Sequence, residues 1–133
     1  MAEAFFDTNV VLYLISGNSA KAEVAETTMA RGGHISVQVL NEFASVARRK
    51  AGMSWDEIGE VLGHVRQVCA VHPLLVETHE RGLDLAERYG LSLYDALIVA
   101  AATLAGCRVL YSEDLQAGQH FDGGVVVRNP FMR

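Results

Sequence analysis

Short strand-like segments that alternate with capped helical stretches constrain the fold of this chain most. Glu3–Phe6, His34–Ile35, Ala70–His72, Arg108–Tyr111 and Val125–Val127 have strand length and lie beside turn or helix-stop residues. Helical stretches separate the first four. Parallel strands need crossover connections of this kind, so the order predicts an α/β fold with a central parallel sheet of about five strands and helices on both faces. In such open sheets ligands gather at the carboxyl ends of the strands.

Local signals mark the helices. Thr8–Ile15 follows the first strand, and Ser16-Gly17-Asn18 forms a turn. Ser19 is placed to cap a helix that runs to Arg31 and stops at Gly32-Gly33. Ser36 is placed to cap the next, from Val37 to about Ala51, with Val37, Leu40, Phe43 and Ala47 on one face. Ser54 and Glu57 have capping-box spacing for a helix ending near Val68, and Pro73 stops the third strand. Thr78–Tyr89 is a helix closed by Gly90, and Ser92 starts another closed by Gly106.

A length of 133 residues suits a single domain over 1–133 with a real core. Half the residues are hydrophobic and 20% are charged, which excludes a disordered chain. The net charge of −5 argues against a broadly basic, nucleic-acid-coating surface but leaves room for a local basic patch. Cys69 and Cys107 form no paired motif and read as buried free thiols of a reducing cytoplasm. Glu3 and Asp7 interrupt any leader-like apolar region, and Ala96–Ala105 is too short to cross a bilayer, so no membrane association is expected.

Against this frame four acids stand out. Asp7 ends the first strand, Glu42 lies in the second turn of the helix after the second strand, Asp95 heads the longest apolar stretch, and Asp114 follows the fourth strand. Carboxylates are strongly hydrated and rarely lie this close to a core without partners. Converging carboxylates repel, and a hard divalent cation such as Mg²⁺ removes that repulsion through oxygen ligands. Each acid also has an ordinary reading. Asp7 can be an N-cap, Asp95 can complete a cap with Ser92, Glu42 can be a solvated edge residue, and Asp114 can serve a turn. What these readings leave unexplained is four acids at one pole of one sheet.

The opening Phe6-Asp7-Thr8-Asn9, the helix-borne Glu42, Ser92-Leu93-Tyr94-Asp95-Ala96 and Leu110-Tyr111-Ser112-Glu113-Asp114 together resemble the PIN domain family, and within it the VapC-type ribonuclease toxins. Asp-x-Asn alone is a weak signal; the ordered set, spanning Phe5 to Phe131, is a strong one. The resemblance implies a compact three-layer α/β/α fold and an endoribonuclease dependent on Mg²⁺ or Mn²⁺. It aligns Asp7, Glu42, Asp95 and Asp114 with the family's acidic site and gives Asn9 and Ser112 supporting roles. It also implies an RNA substrate, a small antitoxin partner, a homodimer and a cytoplasmic location. The family spacing selects Asp114 over its neighbour Glu113, which is expected to face solvent.

A carboxylate-held cation neutralises phosphodiester charge and lowers the pKa of a bound water. Asp7 and Asp95 are the first candidates for direct ligands; Glu42 and Asp114 are ligands or positioners of water. Arg48-Arg49-Lys50 is the one dense basic cluster. It either complements its helix terminus or contacts RNA phosphate. Trp55 and Tyr94 are expected to be packing residues, with Trp55 near a helix start, and the histidines to serve surface or partly buried polar roles. Three rivals stay open. A phosphoryl-accepting signalling domain also places Asp at a strand end, but the chain has only the early Lys21 and Lys50. The others are an RNA-processing nuclease without a toxin role and a catalytically silent binding module.

Overall fold

The computed structural model describes residues 3–132. Five strands form one parallel sheet in the order β3-β2-β1-β4-β5. They are β1 (Ala4–Phe6), β2 (Gly33–Ser36), β3 (Cys69–His72), β4 (Val109–Tyr111) and β5 (Val126–Arg128). Every pair of neighbours is parallel, and Ala4, Phe5 and Phe6 lie opposite Val109, Leu110 and Tyr111. The α/β architecture expected from the alternation is therefore present. The chain builds outward from β1 through β2 to β3, then crosses to the other side of β1 for β4 and β5. That reversal leaves a topological switch point at the carboxyl ends of β1 and β4.

The central strand shows why helices cover both faces. Successive strand side chains point to opposite faces, yet Phe5 and Phe6 are both fully buried. Six α-helices connect the described strands: α1 (Thr8–Leu12), α2 (Ser19–Ala30), α3 (Val37–Lys50), α4 (Trp55–Val68), α5 (Val76–Tyr89) and α6 (Leu93–Leu104). The apolar run in α6 is core, with Ala96, Val99, Ala100 and Ala102 buried. Helix α5 packs tightly on α6 at Gly82, where a Cβ would stand 2.6 Å from a Leu97 methyl. No helix among the described residues is long and apolar enough to cross a membrane.

Several boundaries differ from expectation. The segment after β1 is α1 followed by a 3₁₀ turn at Tyr13–Ile15. Asn18, not Ser19, caps α2 by accepting from the Lys21 amide, because the turn residue already has the extended backbone of a cap. Ser36 precedes α3, but its hydroxyl makes no capping bond and is buried without a partner among the described residues. Gly33 does more than stop a helix: it belongs to β2, where a Cβ would collide with the Phe6 ring and the Ala4 carbonyl. Helix α5 starts two residues early, because Thr78 turns back to accept from the Leu75 amide. The Ser54–Glu57 capping box and the Gly90 stop, at φ 67°, occur as expected.

Candidate active site

Asp7 lies one residue beyond β1, at the switch point, and is only 5% exposed. Its backbone amide donates to the Tyr111 carbonyl, which extends the β1–β4 pairing to the base of the acid. Oδ1 accepts from the Thr8 amide at 2.7 Å, so Asp7 is indeed the N-cap of α1. Oδ2 accepts from Ser112 Oγ at 2.8 Å and from Asn9 Nδ2 at 3.1 Å. The cap and the functional reading are thus compatible, because the two oxygens divide the work. Burial pushes the carboxyl up to about 6. The Ser112 and Thr8 bonds pull it down, and the charges of Asp95 and Asp114 push it up again.

Asp7, Glu42, Asp95 and Asp114 line one cleft of about 350 Å³, together with Thr8, Asn9 and Arg49. The cleft-lining residues include no histidine or cysteine. Glu42 projects from α3, which follows β2 directly. Its Oε1 accepts from Thr8 Oγ1 at 2.5 Å and its Oε2 from Gln38 Nε2 at 3.3 Å. Asp95 sits in the first turn of α6, and its amide donates to the Ser92 hydroxyl at 3.2 Å. Asp114 lies in the loop after β4.

Asn9 and Ser112 tie this loop to β1. Asn9 Nδ2 reaches Asp7, Ser112 Oγ at 3.3 Å and Asp114 Oδ2 at 3.2 Å, while Asn9 Oδ1 accepts from the Glu113 amide at 2.9 Å. Fully buried Ser112 also accepts from the amides of Asp114 and Leu115, each at 3.2 Å. The two side chains therefore orient two of the four acids.

Glu113 neither joins the cleft nor faces open solvent. Its carboxylate accepts from Tyr13 Oη and Lys21 Nζ, each at 2.5 Å. Those bonds hold the Glu113 carboxyl below its usual range and raise Lys21, whose ammonium also stands over the Tyr13 and Phe131 rings. The basic cluster divides. Arg49 lines the cleft, whereas Arg48 donates to the Met53 carbonyl and stacks on Trp55 at the α3–α4 junction. Lys50 is exposed at the end of α3. Trp55 and Tyr94, expected as packing residues, are both 64% exposed, because each stands at the start of its helix, outside the buried face; the packing of Trp55 is against Arg48. Cys69 and Cys107 are buried free thiols, and burial pushes both up to about 11.

Thr8 and Gln38 are the site residues that motif spacing does not reveal. The four-residue spacing of Gln38 and Glu42 puts them side by side on α3, but only the packing of the α6 backbone marks Gln38 as part of the site.

The donor set fits a hard divalent cation: four carboxylates, one of them desolvated, with polar side chains fixing their orientation. Among the described residues no three acid, histidine or cysteine side chains close into a ligand cage. An open, acid-lined cleft suits Mg²⁺, which is usually held by one or two carboxylates together with water and phosphate.

Residues 4–119 match the PIN domain, and the chain belongs to that family. Its fold is similar to a chain of a toxin–antitoxin complex from Klebsiella pneumoniae, with TM-score 0.72 and 23% identity over 96% of this chain and 98% of that one. It is also similar to Mycobacterium tuberculosis VapC20, described as a toxin that cleaves the sarcin-ricin loop, with TM-score 0.68 and 21% identity over 84% and 89% of the two chains. A third likeness is to VapBC2 from Rickettsia felis bound to a promoter DNA fragment, with TM-score 0.68 and 16% identity over 95% and 97%. The search of curated proteins gave no match.

Proposed function

We propose that this chain is a single PIN domain acting as a divalent-metal-dependent endoribonuclease, the VapC-type toxin of a toxin–antitoxin pair. The observation that carries the reading is the buried Asp7 carboxylate, at a strand end and facing a cleft shared with three further acids. Surface caps do not need that burial, and a silent binding module has no use for a carboxyl whose ionisation is opposed by burial and, to a lesser degree, by the charges of Asp95 and Asp114.

Asp7, Glu42, Asp95 and Asp114 would hold Mg²⁺ or Mn²⁺, which supplies charge neutralisation at a phosphodiester and lowers the pKa of water. The protein's own share is orientation. Thr8 and Gln38 fix Glu42, while Ser112 and Asn9 fix Asp7 and Asp114. The second oxygen of Asp7 bonds its own helix amide, which keeps the carboxylate from rotating away. Arg49 is the cation placed to meet an RNA phosphate beside the acids. An RNA substrate, a homodimer, a small antitoxin and a cytoplasmic location belong to this reading. The toxin–antitoxin assemblies of similar fold support the antitoxin. An RNA-processing role without an antitoxin would use the same site.

The test is cleavage of a mixed set of structured RNAs. Cleavage is expected in Mg²⁺ or Mn²⁺ and should stop in EDTA. Equal cleavage in chelator would remove the metal mechanism.

A further inference from the structure

Gln38 is buried, 5% exposed, on the Glu42 side of α3, away from the apolar face formed by Leu40, Phe43 and Ala47. A buried primary amide is costly unless its polar atoms are used. Its Nε2 donates to Glu42 Oε2 at 3.3 Å and to the Tyr94 carbonyl at 3.0 Å. Both partners are pure acceptors, so the amide can present only its nitrogen to them. Its Oε1 finds no partner among the described residues. The two bonds run in different directions. One reaches an acid on the same helix, and the other reaches the first turn of α6, one residue before Asp95. Gln38 is therefore the side chain that joins the backbone carrying Asp95 to the carboxylate of Glu42.

We propose that Gln38 is a positioning residue, which sets the separation of Glu42 and Asp95 across the cleft and so tunes how the acids receive a divalent cation. The proposal rests on the nuclease reading above and adds to it a residue outside the acidic set. The alternative is that Gln38 only fills space. Methionine has similar volume, tolerates a core and cannot donate, so Gln38→Met separates the two.

Three properties identify positioning. Gln38→Met should weaken Mn²⁺ binding, followed by calorimetry, about tenfold, because partners that orient ligands carry roughly 10–100-fold of metal affinity. The turnover number on RNA should fall by a similar factor with KM unchanged, since RNA contacts remain. The effect should also vanish when Glu42 is already neutralised. In a double-mutant cycle with Glu42→Gln, adding Gln38→Met should cost less than about twofold. Melting in EDTA controls for folding. Should Gln38→Met fail to fold, the unsubstituted protein gives the answer. The Gln38 side-chain amide protons should exchange slowly and shift on addition of Mg²⁺.

Unchanged Mn²⁺ affinity in a folded Gln38→Met, full additivity in the cycle, or an amide that exchanges freely and ignores Mg²⁺ would each overturn the proposal. If the unsubstituted protein neither binds Mn²⁺ nor cleaves RNA, the nuclease reading falls, and the role of Gln38 falls with it.

Discussion

The acidic cleft and the outer face of α5 use the same residue types to opposite ends. Glu77, Glu80, Asp84 and Glu87 of α5 and the nearby Asp122 outnumber the cleft acids and border a larger groove of about 470 Å³. There the acids are interleaved with Arg81 and Arg88 and exposed, and Arg88 pairs with Asp122 in the open. Water and counter-charge satisfy them, and exposed pairs of this kind contribute little to stability. In the cleft, Asp7 is buried, its neighbours Asp95 and Asp114 oppose its ionisation, and Arg49 is the only cation in the lining. Burial at a strand end and a shortage of compensating charge, not the number of acids, distinguish the cleft from a solvated face.

Swapping one carboxylate for an amide on each surface gives the largest contrast. Asp95→Asn keeps the size of the side chain but removes a charge from the cleft, and RNA cleavage should fall on the order of a hundred- to a thousandfold. Asp84→Asn on α5 should leave the rate within about twofold. Equal losses would erase the distinction.

A second contrast is thermodynamic and does not depend on substrate. Asp7 has a folded-state pKa of about 6 against an ordinary 3.8. Between these values the folded protein binds more protons than the unfolded chain, so stability falls as pH rises from about 4 to about 6 and levels off above. The shift corresponds to roughly 2–3 kcal/mol. Denaturant unfolding in EDTA should show this loss in the parent and lack it in Asp7→Asn. Addition of Mg²⁺ should restore stability at pH 7, because the cation binds the ionised form. A parent whose stability rises through this window would contradict the burial of Asp7.

The smallest effect is the division of the basic cluster. Arg49→Gln should weaken RNA binding and reduce the slope of log affinity against log salt by about one unit. Arg48→Gln should leave that slope unchanged, since its guanidinium is already engaged with Met53 and Trp55. The reverse order would return Arg48 to the cleft.

Much of this arrangement was legible in the sequence because its signals are local. The strands are short segments beside turn residues, the Ser54–Glu57 and Ser92–Asp95 caps lie three residues apart, and each cleft acid sits next to a recognisable element end. Ser36 misled because a capping residue type in the capping position turned inward instead. The Lys21–Glu113 pair spans 92 residues, and nothing local in either segment marks it. Gln38 was hidden for a different reason. A glutamine in a first helical turn reads as a surface residue until the α6 backbone is placed over it.

The central claim is that the buried Asp7 carboxylate binds a cation in addition to capping α1. Asparagine retains the capping oxygen and loses the charge. The decisive measurement is RNA cleavage by Asp7→Asn in Mg²⁺, on protein whose melting temperature in EDTA at pH 7 has been compared with the parent. The account predicts cleavage lost to background and a melting temperature equal to or above the parent's, because a buried negative charge has been removed. Cleavage at the parental rate by folded Asp7→Asn would contradict it.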